Sequence, residues 1–335
     1  MSKMLLIGGT GALGTYLTQE LLARGNEVHV LSLDDMVSDN PMLTYFKGNA
    51  KDDAYLTELL KNNYDGVVDY MIYFQSSDFA KRVPMFLDHV GHYIFLSTYR
   101  IYADSATPIT EESDRLLDVA TDPEFLNSND YALYKAEGED ILARSGYRNW
   151  TVIRPSITYS KRRFQLVTLE ANVLIHRIRH GKTVIVPEEA MNKQTSMTWS
   201  GDSAKMVASL LCNEKAFGER YTISTGEHHS WREVCSYYEE IAGMKYITVD
   251  TETYVKLMGG DKNINVRQQL TYDRLFNREV DNSKILAISG LKQEELMPLK
   301  EGLRREYEAL PLDWDPCDEA VNARMDAYLA EHGID

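Results

Sequence analysis

Residues 4–14, MLLIGGTGALG, constrain the fold more than any other stretch. An apolar run, Met4-Leu5-Leu6-Ile7, breaks into glycine at Gly8. Gly11 and Gly14 follow at three-residue intervals, and a helical apolar pattern through Tyr16, Leu17, Leu21 and Leu22 resumes at once. That order predicts a buried strand, a tight turn and a helix. Glycines so spaced let the chain turn sharply, admit a pyrophosphate to the main chain and let the helix pack close to the strand. The phosphate charge then meets the free N–H groups and positive dipole end of the helix. The next strand is predicted over residues 27–31, EVHVL, so the turn opens a strand–helix–strand unit, which is the context a dinucleotide cradle needs. Gly8, Thr10, Gly11, Ala12, Leu13 and Gly14 are the expected cofactor contacts.

The chain has 335 residues, 44% hydrophobic and 26% charged, enough for one large α/β domain and a smaller lobe. A formal net charge of −15 argues against nucleic acid or an anionic membrane as the main partner, because either needs a basic surface. The apolar start is too short for a signal peptide, and no stretch reaches the length of a membrane span. Cys212, Cys235 and Cys317 are scattered and odd in number, as expected of reduced thiols in a cytoplasmic protein.

Residues 93–102, YIFLSTYRIY, read as a buried strand running into a polar loop at its carboxyl end, where ligands bind in open α/β sheets. Further on, Tyr131 and Lys135 stand four apart, so on a helix they share a face and the ammonium can sit near the phenol. A phenol with its ordinary pKa of about 10 needs such help to act as a base near neutral pH.

Four features together carry a resemblance: the Gly-x-x-Gly-x-x-Gly turn, the Ser97-Thr98 strand end with Tyr102 beyond it, the Tyr131/Lys135 pair, and Val152-Ile153-Arg154-Pro155. The chain resembles the extended short-chain dehydrogenase/reductases of the NAD-dependent epimerase/dehydratase type. The resemblance implies a Rossmann-type doubly wound parallel sheet with a smaller, mixed α/β C-terminal substrate lobe. The nucleotide domain would span residues 1–158 plus about 196–225, and the lobe about 159–195 plus 226–335. It implies Tyr131 as acid/base, Lys135 as the group that holds the nicotinamide ribose and lowers the Tyr131 pKa, Thr98 (with Ser97 second) on the reacting oxygen, and Pro155 at the nicotinamide. Ser32 falls where the family has a ribose-binding acid and Asn49 where it has an adenine-side Asp. Asp34 and Asp35 would repel a 2′-phosphate, so NAD is expected over NADP. Met71 and Ile72 replace the small residues usual after the fourth strand.

Tyr99 and Arg100 stand where 4,6-dehydratases of the family carry an Asp-Glu pair, which leaves epimerisation of a sugar or sugar nucleotide first and plain alcohol/ketone oxidoreduction second. A cofactor-fold regulatory or RNA-associated module without turnover is the third reading, against which the net charge speaks. Thr195 occupies the place of the family's diphosphate-clamping Arg; Lys193, Arg162 and Arg163 are the available substitutes. Helices are expected over 168–180, 202–211, 231–242 (with Ser230 as N-cap) and 318–333, the last with Val321, Met325 and Leu329 on its packing face, against the lobe or a second subunit of a homodimer. His176 and His180 are four apart but have no third ligand in view, so they are read as a solvated face, with no metal.

Overall fold

The computed structural model describes residues 1–104, 108–260 and 264–334. Seven strands, β1 (Lys3–Ile7), β2 (Glu27–Ser32), β3 (Leu43–Lys47), β4 (Gly66–Asp69), β5 (His92–Leu96), β6 (Trp150–Pro155) and β7 (Glu219–Ile223), form one parallel sheet in the order β7-β6-β5-β4-β1-β2-β3. β1 is an interior strand covered on both faces, which is why its sequence is continuously apolar rather than alternating. Leu5 and Ile7 enter the core on one face with Phe79 and Leu142, while Met4 and Leu6 enter the other with Leu17 and Val207. Each fully buried side chain of this kind contributes about 1.5–3 kcal/mol.

The strand order reverses between β1 and β4. Ile7 pairs with Leu31 on one side and Asp69 on the other, so the carboxyl ends of β1, β2 and β4 finish level. A crevice outside such a reversal is where open α/β sheets take ligands. The helix Ala12–Ala23 follows the glycine turn and packs beside the helix Ser200–Leu210, and the helices Ser76–Leu87 and Tyr131–Arg144 pack together.

A second core gathers Trp231, Tyr238, Leu174, Val184 and Met325. Two short parallel pairs feed it, Ile157–Tyr159 with Met197–Trp199 and Val184–Pro187 with Tyr246–Val249. The helix Trp231–Ala242 begins with a capping box between Ser230 and Glu233 and ends at Gly243 with φ +65°. The C-terminal helix Glu319–Glu331 buries Val321, Asn322, Met325 and Leu329.

The helix expected from residue 168 starts only at Ala171. A hairpin, Gln165–Leu166 paired with Leu169–Glu170, precedes it, with Val167 in the left-handed region at φ +54°. Gln165 donates to the Glu170 carboxylate across that hairpin, a local alternative that the apolar periodicity does not reveal. No helix of the described residues is long and apolar enough to cross a membrane.

Candidate active site

The glycine turn forms the cradle its sequence requires. Gly8 has φ +74°, and a Cβ on Gly14 would lie 2.3 Å from the Gly9 carbonyl oxygen. Only glycine permits that approach of helix to turn. The following helix has Gly11 as N-cap with no side chain capping it, so its first-turn N–H groups lack intrahelical acceptors and face an anion's place. Ala12 and Thr10 line a cleft of about 730 Å³ beside it, opposite Lys161, Arg162 and Arg163. The donor set thus fits a dinucleotide pyrophosphate.

At the end of β2, Ser32 does not act alone. Its hydroxyl accepts the Asp34 N–H at 3.1 Å and lies 2.8 Å from the Thr10 hydroxyl, while Thr10 donates to Asp34 Oδ2 at 2.6 Å. The turn swings the exposed Asp34 carboxylate over the glycine loop. A Ser-x-Asp turn thus brings a carboxylate from position 34 to the end of β2, beside Ser32, which counting along the strand misses. Asp35 points elsewhere, to Lys47 at 2.8 Å. Asn49 is exposed, and its side-chain oxygen accepts the Lys51 N–H.

β5 ends at Leu96, and Thr98 follows in extended conformation before a short 3-10 turn, Tyr99–Ile101. The helix Tyr131–Arg144, N-capped by Asp130, presents Tyr131 in its first turn and Lys135 one turn on. The Lys135 ammonium is buried, donates to the Leu96 carbonyl at 2.6 Å and the Met71 carbonyl at 3.3 Å, and sits 5.7 Å from the Tyr131 ring centre. Thr98, Tyr131 and Pro155 line a common cavity of about 320 Å³ with Leu13 of the glycine helix. Ser97 lines it too, but its hydroxyl is engaged, donating to Glu139 at 2.5 Å; the Thr98 hydroxyl accepts only the Arg100 N–H in the bonds observed among the described residues.

The electrostatics differ from the expectation for Lys135. Burial raises the Tyr131 pKa, and the cations that oppose the rise are Arg100 and Arg163, not Lys135. The Arg100 guanidinium lies 5.6 Å from the Tyr131 ring centre. Burial also pushes the Lys135 ammonium down to about 8, against the attraction of Asp69 and Glu139. With its folded pKa below its unfolded one, the charged Lys135 destabilises the fold at neutral pH, and the penalty fades as pH rises through about 8 toward about 10.5. Relative to a Lys135→Met variant, the wild type should gain about 2 kcal/mol in denaturant unfolding between about pH 7 and about pH 9.5, and an unchanged difference would refute the shift.

A buried ion pair ties the site's three elements together. Glu139, two turns after Tyr131 on the same helix, takes a bidentate bond from Arg154 of β6, with Arg154 Nη2 at 2.6 Å and Nε at 3.0 Å. It also accepts Ser97 at the end of β5, while Arg154 donates to the Tyr102 hydroxyl at 2.9 Å. Residue order alone gave no sign of this pair, although Arg154 stands next to Pro155.

The cavity wall beyond Tyr131 is basic in a chain of net charge −15. Arg100, Arg163 and Arg274 line it. Arg100 shares the buried Asp273 with Arg274 and Arg278. Arg163 Nε is buried and has no hydrogen-bond partner among the described residues. Of the three substitutes for the missing clamp, Arg163 alone reaches this cavity; Thr195 is buried in a strand pair with His229, and Lys193 lies outside the lining. His180 is exposed and His176 partly so, and both rings bond Asp315, a third residue that the sequence did not bring into view.

No protein-family model and no curated protein sequence matches the chain. Solved structures do match it by shape. A dTDP-glucose 4,6-dehydratase of Bacillus anthracis in complex with NAD superposes at TM-score 0.70 and 15% identity, over 94% of this chain and 99% of that one. A UDP-glucuronic acid 4-epimerase of Bacillus cereus in complex with NAD gives 0.69 and 15%, over 95% and 99%. An epimerase of Methanothermobacter thermautotrophicus gives 0.68 and 15%, over 92% and 91%. The chain therefore has the fold of the extended short-chain dehydrogenase/reductases across nearly its whole length.

Proposed function

We propose that this chain is an NAD-dependent epimerase of a sugar or sugar nucleotide. The observation that carries the reading is the meeting of Thr98 and Tyr131 beside the glycine helix in one cavity, with the Lys135 ammonium behind Tyr131 at 5.7 Å from its ring centre and Tyr99 and Arg100 in place of the 4,6-dehydratase acid pair. Neighbours of the same fold were crystallised with NAD, among them an epimerase and a dehydratase. The missing acid pair sets this chain apart from the second of these chemistries.

Bound NAD would accept and return a hydride at the reacting carbon. The first-turn N–H groups after Gly11 would hold its pyrophosphate, Asp34 its adenosine ribose, and Lys135 and Pro155 the nicotinamide end. Tyr131 takes the proton of the substrate hydroxyl as a ketone forms and gives it back after the sugar has turned, while Thr98 hydrogen-bonds the reacting oxygen. Arg100 supports the phenolate in this step, and Arg163 takes up negative charge on the substrate. In this reading residues 1–158 and about 196–225 bind the cofactor, and residues about 159–195 and 226–335 close over the sugar. The three free thiols suit the reducing cytoplasm.

The test is to denature fresh protein, identify any released dinucleotide by mass, and follow sugar nucleotides by NMR. Released NAD with interconversion of epimers and no net NADH supports the proposal; steady NADH production would instead establish an oxidoreductase. Asp34→Ala should weaken NAD binding about 10- to 100-fold, the worth of hydrogen bonds to a charged acceptor, and narrow the preference over NADP. Unchanged affinity in that variant would remove Asp34 from the ribose.

A further inference from the structure

Away from the cavity, the helix Ala171–Arg179 and the residue after it carry two imidazoles that converge on one carboxylate from a distant part of the chain. His176 Nδ1 is 2.9 Å from Asp315 Oδ1, and His180 Nε2 is 2.8 Å from Asp315 Oδ2. One ligand atom from each of the three lies within 4.8 Å of the other two. The rings are 4.4 Å apart.

We propose that His176, His180 and Asp315 form a binding site for a divalent first-row transition metal of the zinc class, which fastens the C-terminal segment to the helix Ala171–Arg179. The ligand types are right, since two imidazole nitrogens and one carboxylate make a three-ligand set with an open fourth position. The spacing is right as well. Tetrahedral bonds of about 2 Å put ligand atoms about 3.3 Å apart, a separation within the 4.8 Å that the three ligand atoms span.

Two further features distinguish this cluster from a chance surface ion pair. The outer ring nitrogen of His176 has a partner of its own: Nε2 faces Cys317 Sγ at 3.6 Å, and an N–H donated there leaves the Nδ1 lone pair toward the site. The carboxylate is also held in place from both sides. Before it, Arg179 donates to the carbonyls of Pro311, Leu312 and Trp314; after it, the Asp318 N–H donates to the Asn172 carbonyl at 3.0 Å. Asp315 is therefore placed over the helix end by contacts that do not involve the histidines. None of the three ligands lines the cavity of Tyr131, so a metal here is independent of the proposed reaction.

The experiment uses the full chain without an affinity tag, stripped with chelator and titrated with zinc chloride by calorimetry and by competition with a chromophoric chelator. Cobalt(II) provides a visible spectrum of the ligand field. One equivalent should bind, with the melting temperature rising in zinc and falling back in chelator. His180→Ala and Asp315→Asn should each weaken binding more than about tenfold, and Cys317→Ala by about tenfold, as partners of metal-bound histidines do. Asp315→Asn preserves shape, and an unchanged circular dichroism spectrum would show that its loss of zinc is not unfolding. Zinc binding undiminished in Asp315→Asn and His180→Ala, or a wild type that takes up no zinc, would overturn the proposal.

Discussion

Replacing Tyr131 by Phe should leave the fold and the bound dinucleotide in place and lower turnover by about 10²- to 10⁴-fold, the usual worth of a positioned acid/base. The phenyl ring keeps the contact with Tyr134 and the cation above it, because neither depends on the hydroxyl. Cofactor retention is expected because Lys135 and the glycine turn are untouched. The measurement is dinucleotide content per chain together with epimer formation. Turnover within about tenfold of the wild type would displace Tyr131 from the proposed role. Thr98→Ala should cost less, since it removes one hydrogen bond to the reacting oxygen rather than the proton carrier.

Arg154→Met should produce the largest loss of stability among single side-chain changes at the site, about 3 kcal/mol, because Glu139, with 0% exposure, would lose its bidentate partner and keep only Arg220 at 3.6 Å and Arg115 at 3.9 Å. The same change would remove the Tyr102 bond and the link from β6 to the Tyr131 helix, while Ser97 keeps its bond to Glu139. A fall in the denaturant midpoint is the expected readout. Adding Glu139→Leu to Arg154→Met should recover much of it, since an apolar pair removes the stranded charge. No recovery in the double variant would mean that packing around Arg154, not the ion pair, sets its importance.

Some of this was legible in residue order. The glycine turn, the Ser230–Glu233 capping box and the Val321/Met325/Leu329 face each need only residues within a few positions of one another. Their physics is that of a turn, a cap or a helical period. The Tyr131/Lys135 spacing is of the same kind, and it places both on one helix face.

Other features depend on which distant residues meet. The Asp34 carboxylate lies beside Ser32 because a Thr10–Ser32–Asp34 hydrogen-bond turn folds it back over the loop. The direction of the Tyr131 shift follows from how deeply the fold buries the phenol and from Arg100 and Arg163 beside it, neither of which its helical spacing to Lys135 encodes. Lys135 itself is held by the carbonyls of Leu96 and Met71, from two other strand ends.

By itself, then, the sequence determined the parallel α/β sheet, its glycine turn and the placing of Tyr131 and Lys135 on one helix face, because these are written in periodicity and short-range spacing. Only the tertiary structure decided what surrounds them: the Glu139–Arg154 pair 15 residues apart, the arginines of the cavity wall, and Asp315 brought 139 residues along the chain to His176. Those encounters are set by how the sheet and the second core pack, and burial then fixes which charges are felt and which are silent.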